Sequence, residues 1–277
     1  MELIYDIIET ILPFSFARFD FMKNALLAVL LVTPLFGLLG TMAVNNKMAF
    51  FSDALGHSAL TGIAIGVALG IGDPLVCMLT FGIVFGLAIR KVKSGTKASS
   101  DTVISVFSSV SMALGIVILS GSGGFAKYSS YLIGDILTVS PAYVGLMAVV
   151  LAGTYIVWCF IYNDLLLLSV NPSLSASRGI KNALTENIFV VILAVAVMLS
   201  IKQIGILTIN SLLILPAAAA RNVSSNSRQY LVLSTVISLF CGIAGLVISF
   251  YAGTAAGATM VLIAAAVYFV TYFVSGK

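Results

Sequence analysis

Charge is what this chain has least of. Of 277 residues only 9% are charged, against roughly a quarter in ordinary globular proteins, while 60% are hydrophobic and mean hydropathy is +1.15. A water-soluble core of this size cannot hide so much apolar surface. The hydrophobic residues run continuously and do not alternate, which argues against a membrane β-barrel. No GxxxxGK[ST] loop occurs, so ATP is not bound in the P-loop manner. HExxH, nucleophile-elbow, haem and Cys/His-cluster patterns are also missing. The three cysteines, Cys77, Cys159 and Cys241, sit singly inside apolar runs and read as small buried hydrophobes. A basic leader is absent too: the first twenty residues carry Glu2, Asp6 and Glu9 where a signal peptide needs positive charge.

What is present is a polytopic all-α membrane bundle of about 8–9 spans. Nine segments are long and apolar enough to cross a bilayer: roughly 22–44, 52–71, 75–90, 101–120, 141–162, 187–201, 204–220, 230–250 and 254–274. The sixth and seventh are short and meet at Lys202 and Gln203, so eight spans with one broken helix is the alternative. Residues 1–20 read as an interfacial segment, with Leu3, Ile4, Ile7, Ile8, Ile11 and Leu12 on one face and Asp6 and Glu9 opposite. The chain reads as one transmembrane domain over 1–277, with no hydrophilic domain and no convincing internal repeat.

Lys47, Arg90, Lys91, Lys93, Lys97, Arg178, Lys181, Arg221, Arg228 and Lys277 fall on one side of the alternating spans. The inter-span loops of the other side hold only Lys127 and Lys202. The positive-inside rule makes the first side, with the C-terminus, cytoplasmic. The net charge of +4 therefore reads as topology and not as a nucleic-acid footprint.

One polar constellation interrupts the apolar field. Asp53 and His57, the only histidine, open the second span four residues apart and share a helix face. A carboxylate and an imidazole so placed can converge on one divalent cation. The alternative is that the two merely pair, with Asp53 capping the helix. Thr61, Ala64 and Ala68 continue that face as a candidate pore lining; Ser58, Gly62, Gly66 and Gly70 form a small-residue stripe on the other side, suited to helix packing. Asp101 reads as the cap of the fourth span and Asp135 as part of an external connection, with a short re-entrant helix as one form it could take. Asn210 and Pro216 interrupt the seventh span, and Trp158 and Tyr162 read as interface anchors ending the fifth.

Several stretches resemble one family. They are Gly37 to Gly66, with Gly40, Lys47-Met-Ala-Phe-Phe51 and Asp53-Ala-Leu-Gly-His57; Asp101-Thr-Val-Ile-Ser-Val; Gly134-Asp-Ile-Leu-Thr-Val-Ser140; and Leu212-Leu-Ile-Leu-Pro-Ala-Ala-Ala-Ala-Arg221. In that order they resemble the membrane permeases of zinc- and manganese-importing ABC transporters. The resemblance implies a homodimer, two cytoplasmic ATPase subunits and an extracytoplasmic metal-binding protein. It also implies an ion path through Asp53 and His57, and no cofactor beyond the transported ion. A coupling segment within 163–186 is expected to meet the ATPase through Asn171, Pro172, Ser175, Arg178 and Gly179. Independently, Asn171 as N-cap and Pro172 at the first helical position predict a helix there, reaching across 165–181. The family usually starts that helix Asp-Pro-Glu; this chain reads Asn171-Pro172-Ser173, which removes two negative charges.

An ion-coupled secondary transporter is the competing class. It would normally carry several ionisable groups inside its spans, and this bundle offers little beyond one pair. A membrane enzyme or scaffold lacks a catalytic set. One imidazole and one carboxylate suit zinc, manganese or ferrous iron alike.

Overall fold

The computed structural model describes Tyr5 and residues 19–71, 73–121 and 134–275. The interfacial reading of residues 1–20, Lys127, Lys277 and most of the 121–140 connection lie outside the described residues. Ten α-helices and one short 3-10 turn occur among those described, with no strand. They are α1 (Asp20–Asn45), α2 (Phe51–Ala68), α3 (Pro74–Gly95), α4 (Ser100–Gly121), α5 (Pro141–Val170), α6 (Pro172–Ser177), α7 (Asn182–Ile204), α8 (Ile206–Val223), α9 (Ser227–Ala252) and α10 (Ala256–Ser275). Eight of them are long and apolar enough to cross a membrane. Of the nine expected spans, α2 is the one left out. Its 18 residues include Ser52, Asp53, His57, Ser58 and Thr61, and most are buried in protein.

Local chemistry sets the boundaries. The Asp73 carboxylate accepts from Leu75 N at 2.9 Å ahead of Pro74, starting α3. Asn226 does the same for α9, accepting from Gln229 N at 2.8 Å. At α4 the cap is Ser99, whose hydroxyl accepts from Thr102 N at 3.1 Å. Asp101 is thus not the cap but lies in the first turn, where the helix dipole still favours it. Between α7 and α8 stands Gly205 at φ +83. An L side chain resists that conformation, so the two short spans near Lys202 are separate helices that break at a glycine. Asp135 opens a 3-10 turn, Ile136–Thr138, by accepting from Leu137 N at 3.0 Å.

Two further expectations change. α5 does not end near residue 162 but runs to Val170. Trp158 therefore lies within the helix, 4% exposed, against Phe189 and Tyr162, and is a packing residue, not an interface anchor. For the same reason 165–181 is not one helix: it comprises the end of α5, a break at Asn171 and the short α6.

The chain forms two compact units. One comprises α1, the first part of α5 and α8–α10; the other α2–α4, the rest of α5, α6 and α7. In the first, α8 packs against α9 and α10. Serine and tyrosine hydroxyls of α9 tie it to α1: Ser234 donates to the Gly37 carbonyl at 2.6 Å and Tyr230 to that of Thr41 at 3.4 Å. In the second, α2 lies between α3 and α4.

Candidate ion-binding site

α2 is gripped on two sides. A Cβ on Gly62 would lie 2.9 Å from Met78 Cα, and one on Gly66 2.6 Å from Cys77 Sγ, so the glycine stripe is the seat of α3. On the other side Thr61 meets α4. Its hydroxyl donates to the Ser111 carbonyl, the Ser111 hydroxyl donates back to Thr61 Oγ1 at 3.0 Å, and a Cβ on Gly115 would stand 2.9 Å from Thr61 N. Ala64 is wholly buried with Leu60 and Leu119. Of the expected polar-to-small pore lining, Thr61 and Ala64 are therefore buried at the α2–α4 interface, whereas Ala68 is exposed.

Below that interface the polar pair stays open. α2 begins at Phe51 after Phe50, which makes no side-chain cap, so Asp53 is not a capping residue. It stands in the first turn, where the helix dipole favours a negative charge. His57 Nε2 lies 3.6 Å from Asp53 Oδ2, with the side chains 31% and 40% exposed. That is too long for a hydrogen bond. It is close to the separation of two ligands that each hold one cation at about 2.0–2.2 Å. Three buried side-chain polar atoms lack a hydrogen-bond partner among the described residues: His57 Nδ1, Trp158 Nε1 and Ser238 Oγ. Only the first belongs to an ionisable pair. No group of three or more His, Cys, Asp and Glu side chains gathers among the described residues. The carboxylate and the imidazole therefore stand together as two donors, partly exposed and without a third such side chain beside them among the described residues.

The other predicted site residues gather around α6. The Asn171 side chain accepts from Leu174 N at 3.0 Å, with Pro172 opening the helix. Arg178 closes it and Gly179 turns away at φ +80. Ser175 is fully buried, donating to Asn182 Oδ1 at 2.7 Å, and Asn182 Nδ2 donates to the Pro172 carbonyl at 3.0 Å. Asn171, Pro172, Arg178 and Gly179 are exposed, whereas Ser175 holds α6 in place. Sequence reasoning missed Asn182, since hydrogen bonds seven and ten residues back follow no helical period. It also missed Glu186, whose carboxylate takes the Arg90 Nε at 3.1 Å and ties α7 to α3.

Eight long apolar helices make this a membrane-embedded chain, and α2 carries its carboxylate–imidazole pair. The sequence comparisons give its lineage. The family described as "ABC 3 transport family" matches residues 18–275, and the chain belongs to it. It is similar to the high-affinity zinc uptake system membrane protein ZnuB of Haemophilus influenzae, 29% identical over 92% of this chain and 98% of that protein. It is also similar to the manganese import system permease protein ScaB of Streptococcus parasanguinis, 26% identical over 94% and 92%. Among solved structures, PsaBC from Streptococcus pneumoniae in complex with Fab aligns with TM-score 0.81 at 25% identity, covering 99% of this chain and 96% of that one. This chain is the multi-pass membrane permease of a bacterial ABC importer.

Proposed function

We propose that the chain carries a divalent transition metal, zinc or manganese, across the plasma membrane, with Asp53 and His57 as the ligand pair on the path. The observation that carries this reading is their convergence at 3.6 Å on a helix otherwise sealed against its neighbours. The carboxylate supplies charge that the apolar bundle lacks, and the imidazole supplies a borderline donor suited to zinc or manganese. Relatives named for zinc uptake and for manganese import support that choice of ions. Two ligands bind weakly enough for onward release.

The working unit is a homodimer with two cytoplasmic ATPase subunits and an extracytoplasmic metal-binding protein. The absence of a P-loop from the sequence supports a separate ATPase. The basic loops support a cytoplasmic C-terminus and a cytoplasmic α6 that meets the ATPase through Asn171, Pro172, Arg178 and Gly179, with Ser175 holding the helix in place. Impermeant thiol reagents are expected to reach Ser177→Cys only from the cytoplasmic side; labelling from outside intact cells would overturn that orientation.

The ion path is tested by uptake of radiolabelled zinc and manganese into vesicles holding the assembled transporter. Asp53→Asn keeps the shape and removes the charge. Uptake is expected to collapse while assembly persists, and the double variant with His57→Ala is expected to lose little more. The ligating imidazole must be unprotonated, so uptake is expected to fall on acidification through the histidine range. Near-normal uptake in both single variants would reduce the pair to a helix contact.

A further inference from the structure

The α2–α4 interface fixes a register. Thr61 meets Ser111 and Gly115, and Ala64, three residues on, is buried with Leu119. The paired numbers rise together, so the two helices run parallel where they touch. Stepping back one turn, about 6 Å at 1.5 Å per residue, leads from Thr61 to His57 on α2. A step of three residues, about 4.5 Å, leads from Ser111 to Ser108 on α4. Ser108, Ser111 and Gly115 recur at three- and four-residue spacing, so they share one face of α4, as His57 and Thr61 share one face of α2.

The level of Thr61 and Ser111 is closed by two hydrogen bonds, and the level of His57 and Ser108 by none. His57 Nδ1 is buried without a partner. Ser108 is partly buried, and its hydroxyl makes no hydrogen bond to any described residue. Meanwhile Nε2 is the imidazole nitrogen at the Asp53 carboxylate. A cation on Nε2 needs that nitrogen unprotonated, which places the ring proton on Nδ1. A metal-bound histidine almost always donates that second N–H to an oxygen, and the donation fixes the tautomer, the ring plane and the ligand basicity. Backbone carbonyls along His57's own helix are engaged in helical bonds, whereas the Ser108 oxygen has both lone pairs available.

We infer that Ser108 is the positioning residue of the ion site: its hydroxyl oxygen accepts the Nδ1–H of His57 when Nε2 holds the cation. The inference rests on Asp53 and His57 being the ligand pair. A neutral hydroxyl suits this place because it orients the imidazole without adding charge.

The test uses the complete transporter, permease with its ATPase, in lipid nanodiscs, and Co2+ alone as the probe. Affinity is read by titration and ligand geometry by the Co2+ absorption bands. Ser108→Ala is expected to weaken Co2+ binding by roughly ten- to a hundred-fold, the range for lost partners of metal-bound histidines, and to change the bands. Ser108→Thr keeps the hydroxyl and is expected to restore both. Ser111→Ala, which loosens the same interface one turn away, is expected to lower thermal stability and leave the bands unchanged. Unaltered binding in Ser108→Ala, or equal spectral change in Ser111→Ala, would overturn the positioning role. Asp53→Asn separates the two ideas. If it abolishes Co2+ binding while Ser108→Ala does not, only the role of Ser108 falls; if it also binds normally, the ligand pair itself is wrong.

Discussion

α2 and α8 are the two shortest of the long helices, 18 residues each; α2 packs against α3 and α4, and α8 against α1, α9 and α10. Both rely on glycine for close approach. A Cβ on Gly40 of α1 would come within 1.9 Å of the Leu213 carbonyl oxygen of α8, and one on Gly257 within 2.3 Å of Thr208 Oγ1. The helices differ in what their polar groups do. At the end of α8 the polar groups are committed to helix–helix bonds, Ser275 donating to the Asn222 carbonyl at 2.8 Å and Asn222 Nδ2 to Thr271 Oγ1 at 3.3 Å, while Thr208 is buried under Gly257 of α10. On α2 the upper polar residue, Thr61, is likewise committed, but Asp53 and His57 are left facing each other with capacity to spare. Close packing through small residues is therefore the common scaffold, and unmet polar capacity is what marks a site.

The strongest test of that contrast is chemical. Asp53→Asn or His57→Ala is expected to lower uptake by more than the roughly ten- to a hundred-fold that loss of an outer partner of a metal-bound histidine costs, because each removes one of the two proposed ligands themselves. No substitution of Thr208 is expected to approach that loss at equal expression. Next comes Gly40→Ala in the other helix's seat. The Cβ would strike a backbone oxygen, which cannot move aside as a side chain can, so a cost of at least about 3 kcal/mol is expected. Thermal unfolding and the yield of monodisperse transporter measure it.

Ala64→Val sharpens the boundary within α2. The residue is fully buried between α2 and α4, so about 1–3 kcal/mol of overpacking is expected, seen as lower thermal stability. A pore-lining Ala64, as the sequence suggested, would affect transport more than folding; uptake reduced at unchanged stability would restore that view. The smallest effect is expected at the Arg90–Glu186 pair. It lies partly in solvent, with Glu186 40% exposed, so screening limits it to about 0–1 kcal/mol. Glu186→Gln is expected to shift the melting midpoint only slightly.

These comparisons also mark what was legible in the sequence. The helices were readable because continuous apolar runs leave a bilayer as the only solvent. The Asp53–His57 pair was readable because four-residue spacing on a helix dictates a shared face. The fate of Thr61 and Ala64 was not, since a helical wheel gives directions but not neighbours. Which face meets α4 depends on Ser111 and Gly115, some fifty residues away. The Trp158 reading failed for a related reason: the apolar run around it did not show that Asp164 still lies within the helix, which carries on to Val170. Ser175 and Asn182 close a bond across a turn, for which sequence carries no periodic signal.

The composition of α2 has a consequence for biogenesis. It alone among the nine long helices is not apolar enough to qualify as a span, because ionisable and hydroxyl side chains are costly to hand to lipid one helix at a time. The insertion machinery therefore has little reason to release it sideways as it emerges. Its partner α3, apolar and sharply capped at Asp73 and Pro74, follows within a few residues and offers the glycine-matched surface that covers it. The pair is expected to enter the bilayer as a hairpin. A nascent chain cut after Ala68 is expected to remain protease-sensitive at α2, whereas one cut after Gly95 is expected to be protected, so α2 depends for its own entry on the helix that follows it.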